Sequence, residues 1–314
     1  MPSTLTLVSL STGRPVFHRK TALVAPARER YPDAFTPEPE WTHFFSQWCS
    51  APEQAAPQIG TIGTGGEREV VALHAGLLLR SVFQPIFSVP KLQTVAFEGL
   101  VRAQRSGSGE TLSPDALFSL ARTRAQGVLL DRLCRMIHLL NFERQAHPSA
   151  SLYLNLATMH LQALHQGQHG SFMEAMQALC PLALERIILE ITETQFDDRD
   201  TLNGIVQTFK HRGYRVAIDD FGARHSNFDR LWALTPDIVK IDRELLLQAD
   251  GNPRVRKILP KVVDIIHDLD AQVVCEGIET RQQQDLAVSA GVDLLQGFGL
   301  AKPARDLTPQ VVRQ

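Results

Sequence analysis

No segment of the 314-residue chain approaches the roughly 20 consecutive apolar residues that a helix needs to cross a bilayer. The greasiest stretch, from Pro181 to Ile191, is broken by Glu185, Arg186 and Glu190. The opening MPSTLTLVSL lacks the basic start of a secretory signal. Neither sign of charge is in excess. The 32 Lys and Arg against 34 Asp and Glu leave a net charge of -2, so bulk electrostatics draw the chain to neither a nucleic-acid polymer nor an acidic membrane. An anionic ligand must therefore be held by a local site. Cysteines are few and scattered (Cys49, Cys134, Cys180, Cys275), with no C-x-x-C and no zinc-ligand spacing, which is the pattern of free thiols in a reducing cytoplasm. What remains, 44% hydrophobic and 21% charged, is the composition of an ordinary globular protein, long enough for one large domain with an appendage or two smaller ones.

The chain divides near residue 70. Up to there Pro and Ala recur, Gly60 to Gly66 is Gly/Thr-rich, and no periodicity is sustained, so residues 1–67 read as a poorly structured extension. Trp41, Phe44, Phe45 and Trp48 fall at helical spacing and are expected to dock on the main domain, 68–314. Beyond Glu67 short apolar runs alternate with stretches of 3.6-residue period. Strands are expected near Phe83 to Phe87, Val95 to Glu98, Leu152 to Asn155, Ile187 to Ile191, Val216 to Asp219, Ile238 to Ile241, Val273 to Glu276 and Leu294 to Gly297. Helices are expected at Pro114 to Arg122, Val128 to Arg144, Leu202 to Arg212, Val255 to Leu269 and Arg281 to Ala290. This alternation predicts an α/β, TIM-like (β/α)8 barrel, with a doubly wound open sheet as the main rival. Ser88 to Thr94 is too short for a crossover helix, so the first strand should run antiparallel to the second and make the barrel irregular.

What ends each strand is the informative feature. Glu98, Asn155, Glu190, Asp219 with Asp220, Lys240, Glu276 and Gln296 stand at or near the ends of successive strands. In a barrel those ends share the face where catalytic groups collect. Capping of individual strands explains one or two such residues and hardly the whole series. Carboxylates so gathered would repel one another and take up protons unless cations neutralised them. Oxygen donors without His or Cys select Mg2+ or Mn2+, and the adjacent Asp219 and Asp220 can serve two ions at once. Paired ions about 3.5–4 Å apart are a recurrent device for phosphodiester hydrolysis. Lys240 could position the attacking water, and a salt bridge to Asp242 or Asp220 is its bland alternative.

The segments FQPIFSV, FEGLVR, YLNLA, LEITET, AIDDFG, DIVKIDREL, VVCEGIET and LLQGFGLAKP resemble, in order and approximate spacing, the motifs of the EAL domain family of cyclic-di-GMP phosphodiesterases. The resemblance covers about residues 68 to 306. It implies a first ion held by Glu98, Asn155, Glu190 and Asp219, a second by Asp219, Asp220 and Glu276, and a water-assisting role for Lys240. It further implies that Arg102 contacts substrate phosphate, that Gln84, Gln296 and Glu279 lie on the substrate side, and that Glu193 braces the loop after the Asp pair. The implied reaction opens cyclic-di-GMP to linear pGpG with two Mg2+ or Mn2+ ions. A homodimer through the barrel is allowed by the same likeness.

Two positions depart from the pattern. The signature reads Glu98-Gly99-Leu100 where the family has Ala in the middle, a loss of one methyl that touches no chemistry. Arg224 and His225 stand where the family carries Gly and an aromatic, which bears on rate and regulation. His160, His165 and His169 read as a solvated loop, and Cys275 as packing. The rivals to an active enzyme are a catalytically silent cyclic-di-GMP receptor and a hydrolase of another phosphoester.

Overall fold

The computed structural model describes residues 35–48, 56–64, 68–145, 147–157, 171–192, 199–223 and 228–308. Glu193, Arg224, His225, His160, His165, His169 and Cys49 lie outside them. Among the described residues twelve strands form one sheet: β1 Phe35–Pro37, β2 Gln58–Ile62, β3 Glu69–His74, β4 Leu77–Ser88, β5 Gln93–Arg105, β6 Thr111–Leu112, β7 Ser151–Asn155, β8 Ile187–Thr192, β9 Arg215–Phe221, β10 Ile238–Ile241, β11 Gln272–Cys275 and β12 Leu294–Leu295. Eight of them close a ring in the order β4-β12-β11-β10-β9-β8-β7-β5, and β5 pairs back to β4. Seven ring strands are parallel, whereas β4 is antiparallel to both β5 and β12. That is the irregular barrel anticipated from the short Ser88 to Thr94 connection.

The α-helices among the described residues are α1 Pro39–Ser46, α2 Pro114–Phe118, α3 Arg124–Arg144, α4 Ser171–Leu179, α5 Arg199–His211, α6 Phe228–Leu234, α7 Arg243–Gly251, α8 Pro253–His267 and α9 Arg281–Ser289. α2 stops well short of the Arg122 expected from its period: Ser119 already caps it. α3 starts on a full capping box, in which Thr123 accepts from the Gln126 amide and Gln126 answers on the Thr123 amide. Among the described residues no helix is long and apolar enough to cross a membrane.

Within the N-terminal extension, residues 35–62 include short regular elements that the sequence pattern did not single out as strands. There β1 and β2 add antiparallel strands outside the ring through β3, which pairs with the start of β4. These strands are short and flank Gly and Pro, so their period is too brief to register in a sequence window. The docking of α1 is as expected: Phe45 is buried, and its ring meets Phe172 of α4 edge-on at 6.1 Å between centroids.

Inside the ring one apolar residue comes from each strand: Ile86, Ala96, Tyr153, Ile188, Ala217, Ile238, Val274 and Leu294. They plug the barrel, with the two larger cores lying between strands and outer helices. Side chains alternate across a strand with period 2, so the next residue to face inward lies two positions away.

Candidate active site

Two positions toward the carboxyl ends of the parallel strands from each plug residue stand Glu98, Asn155, Glu190, Asp219, Lys240, Glu276 and Gln296. On antiparallel β4 the same level is reached two positions earlier, at Gln84, which is paired in register with Glu98. All eight ring strands thus change from apolar to polar at one level, and the change puts residues up to 198 positions apart in hydrogen-bonding contact.

Lys240 is the centre of this layer. It is 1% exposed, and its ammonium lies 2.6 Å from Glu276 Oε1, 3.1 Å from Asp219 Oδ1 and 3.8 Å from Glu98 Oε2, with Glu190 in direct ion-paired contact. Burial pulls the lysine pKa down, but the charges of Asp219, Glu190, Glu276 and Glu98 outweigh it and hold the group well above its ordinary value. The bland alternative of a salt bridge to Asp242 or Asp220 is not what forms: Asp242 instead caps α7 by accepting from the Glu244 amide at 2.7 Å. One ammonium does not balance four carboxylates. Burial, then the charge of Glu98, raises the Glu190 pKa well above its usual range, and burial pushes Glu276 up to about 8. Asp220, exposed at the rim with φ of 58°, is pushed up to about 6 by partial desolvation of its carboxyl and by the charge of Asp219.

Hydrogen bonds orient the rest of the layer. Glu98 accepts from Asn155 Nδ2 at 3.0 Å and from Gln296 Nε2 at 2.6 Å. With its nitrogen on Glu98, Asn155 turns its amide oxygen away from that carboxylate. Glu190 Oε2 and Gln296 Oε1 are buried without a hydrogen-bond partner. Among the described residues no three carboxylates, imidazoles or thiols close on one point as an ion cage, since the ammonium of Lys240 lies among them. The donor set nonetheless suits a hard cation: it is all oxygen, over-supplied with negative charge, and includes a buried carboxylate oxygen with nothing to bind.

A cleft of about 200 Å3 opens above the layer, lined by Gln84, Glu98, Glu276, Gln296 and Glu279 together with Arg243, Gly277, Gly297 and Phe298. Glu279 is fixed from below, where its amide donates to Gln283 Oε1 at 2.8 Å, and from the side by Arg243 at 2.8 Å. The Arg243 stem occupies the place a Cβ on Gly277 would need. Arg102, half-buried four residues beyond Glu98, donates Nη1 to the Val101 carbonyl at 2.9 Å. Of the residues singled out in the sequence, Glu98, Asn155, Glu190, Asp219, Lys240, Glu276 and Gln296 are joined by contacts and Gln84 and Glu279 line the cleft with them, Asp220 and Arg102 stand at its edges without a contact to the layer, and Glu193 lies outside the described residues. Sequence reasoning missed Arg243 and Phe298. Arg243 opens α7 and Phe298 lies in the turn beyond β12, and for Arg243 the available signal was its place directly after the helix cap Asp242. Cys275, next to Glu276, packs as expected: it is wholly buried, and burial pushes its thiol up to about 12.

Comparison with known proteins agrees with this geometry. Over 225 residues the chain is 29% identical to the probable cyclic di-GMP phosphodiesterase PdeB of Escherichia coli, covering 70% of this chain and 42% of that protein. Over 245 residues it is 29% identical to the bifunctional diguanylate cyclase/cyclic di-GMP phosphodiesterase MucR of Pseudomonas aeruginosa, covering 76% and 33%. The chain therefore spans less than half of either relative. It also superposes on the Bacillus subtilis YkuI protein, solved with c-di-GMP and calcium, at a TM-score of 0.65 and 25% identity over 73% of this chain and 57% of that one. Klebsiella pneumoniae BlrP1, solved with calcium and c-di-GMP, gives 0.65 and 26% over 74% and 59%. The sequence pattern of the EAL domain matches residues 71–303, the span that builds both ring and polar layer, and the chain belongs to the EAL domain family.

Proposed function

We propose that the chain is a metal-dependent cyclic-di-GMP phosphodiesterase that opens the cyclic dinucleotide to linear pGpG. The observation that carries this reading is the polar layer itself: eight strands place four carboxylates, three amides and one ammonium at a single level beneath an open cleft. Glu98, Asn155, Glu190 and Asp219 would hold one Mg2+ or Mn2+ ion, and Asp219, Asp220 and Glu276 a second. Bound there, the ions supply Lewis acidity and a water nucleophile at neutral pH.

The chain's own groups do the remaining work. Gln296 and Asn155 both donate to Glu98 and so fix its carboxylate plane. Lys240 holds Glu190, Asp219 and Glu276 around one point and can orient a water or meet charge developing on the phosphate. Arg102 spends one donor on Val101, which leaves the rest of its fork for phosphate oxygens. Glu279 and Gln84 line the cleft beside them.

The test is incubation of the purified protein with cyclic-di-GMP and Mg2+ or Mn2+, following pGpG by chromatography. Turnover is expected, and Glu190→Gln should slow it by at least about 100-fold, since even the loss of a group that only braces a ligand costs about 10–100-fold. Tight nucleotide binding with no product from the wild type would turn the reading into that of a receptor. Cleavage of simple phosphodiesters in preference to the cyclic dinucleotide would point to another substrate.

A further inference from the structure

Behind the polar layer, α3 buries three charged side chains that the reaction does not use: Asp131, Arg132 and Arg135, at 3%, 2% and 1% exposure. Burying charge is costly and gives little net stability even when it is paired. Asp131 Oδ2 accepts from Arg135 Nη2 at 2.5 Å, and Oδ1 accepts from the Ala157 amide at 3.0 Å. Ala157 is two residues past Asn155. The intervening Leu156 amide donates to the Glu190 carbonyl at 3.0 Å. The turn that presents Asn155 is thus pinned at consecutive amides, once to the neighbouring strand and once to a buried carboxylate. A cavity of about 510 Å3 borders Asn155, Leu156 and Ala157 on the α2–α3 side, so packing alone does not hold the turn there.

We propose that Asp131 is a positioning residue for the metal site: by accepting from the Ala157 amide it holds the turn that brings the Asn155 side-chain amide against the Glu98 carboxylate. The proposal rests on the reading of Asn155 as a ligand. Arg135 fixes Asp131 through its hydrogen bond, and its guanidinium also lies over the Phe172 ring at 5.8 Å. Removing the Ala157 contact leaves every proposed ligand in the sequence and loosens only one of them.

Two double variants separate positioning from mere burial. Asp131→Leu with Arg135→Met removes the charges and the acceptor together, whereas Asp131→Asn with Arg135→Gln removes the charges but keeps an oxygen for the Ala157 amide. Mn2+ affinity of the full chain is measured by calorimetry, with folding followed by circular dichroism. The apolar pair is expected to bind Mn2+ about tenfold more weakly, as loss of a group bracing a ligand does, and the Asn/Gln pair within about threefold of wild type. Equal affinities for both pairs, whether both high or both low, overturn the proposal. If neither pair folds, Ala157→Pro removes the donor and leaves the buried ion pair intact. It too should lose about tenfold, and unchanged affinity overturns the proposal. A wild type that binds no Mn2+ overturns the reading of the site and this proposal with it, whereas tight binding by the wild type and both pairs overturns this proposal alone.

Discussion

Lys240→Met is expected to cost the protein about 3–5 kcal/mol of stability when divalent ions are chelated, the usual penalty for removing one partner of a buried ion pair. The methionine fills the space of the lysine stem, so packing is little changed and the loss is electrostatic. Glu190, buried beneath the cleft, would lose its ion-paired partner, and Glu276 and Asp219 would lose contacts at 2.6 and 3.1 Å. These carboxylates would then repel across a space with no positive charge in it, and in chelator protonation is their relief at neutral pH. A divalent cation offers another. Mn2+ at 100 times its Kd contributes about 2.7 kcal/mol to a protein that binds it only when folded. Because no ammonium competes for the same oxygens in the variant, Mn2+ should raise its Tm by more than it raises that of the wild type. Chemical denaturation in chelator and thermal melts with added Mn2+ check both halves. Unchanged stability in chelator, or equal Mn2+ shifts in the two proteins, would sink the account of Lys240 as the counter-charge of the layer.

The same layer shows why this site was legible in the sequence. An inward-facing strand position that turns from apolar to polar within two residues is visible as a local pattern, in Ala96 and Glu98 as in Ile238 and Lys240. Only closure of the ring makes the eight patterns one object, and closure was readable from the alternation of strands with helices and the short β4–β5 connection. What could not be read is whatever depends on contacts across the ring. Nothing local to Lys240 says that it meets Glu190, Asp219 and Glu276 rather than Asp242, two residues away. Asp131 looks like one more charge in a helix until its partner, the Ala157 amide, is known. The strands β1 to β3 were missed for a different reason: they are extensions of the sheet beyond the ring, too short to carry a period and held chiefly by their neighbours.

Acid should expose a weak point directly behind the signature tripeptide. Gly99 faces α3, and a Cβ there would stand 3.1 Å from the His138 ring, so the missing methyl of Glu98-Gly99-Leu100 is the space the histidine uses. His138 is buried, with Nδ1 2.8 Å from Ser81 Oγ and its ring edge-on to Phe83 at 6.4 Å. Burial first, and then the positive charge of Arg102, lower its pKa to about 3. A histidine in the unfolded chain takes its proton near pH 6.5. Above that value both states are neutral and the contribution to stability is complete. As pH falls below it the unfolded chain gains a proton that the folded one refuses, so stability drops by about 1.4 kcal/mol per pH unit until the folded group titrates as well. The raised carboxylates of the polar layer act in the opposite sense, so the effect is read as a difference. The stability of the wild type minus that of His138→Gln, measured in urea from pH 7 to pH 4, is expected to fall by about 3 kcal/mol. Parallel stability curves for the two proteins would show that His138 is protonated in the fold and that the wall behind Glu98 does not depend on its neutrality.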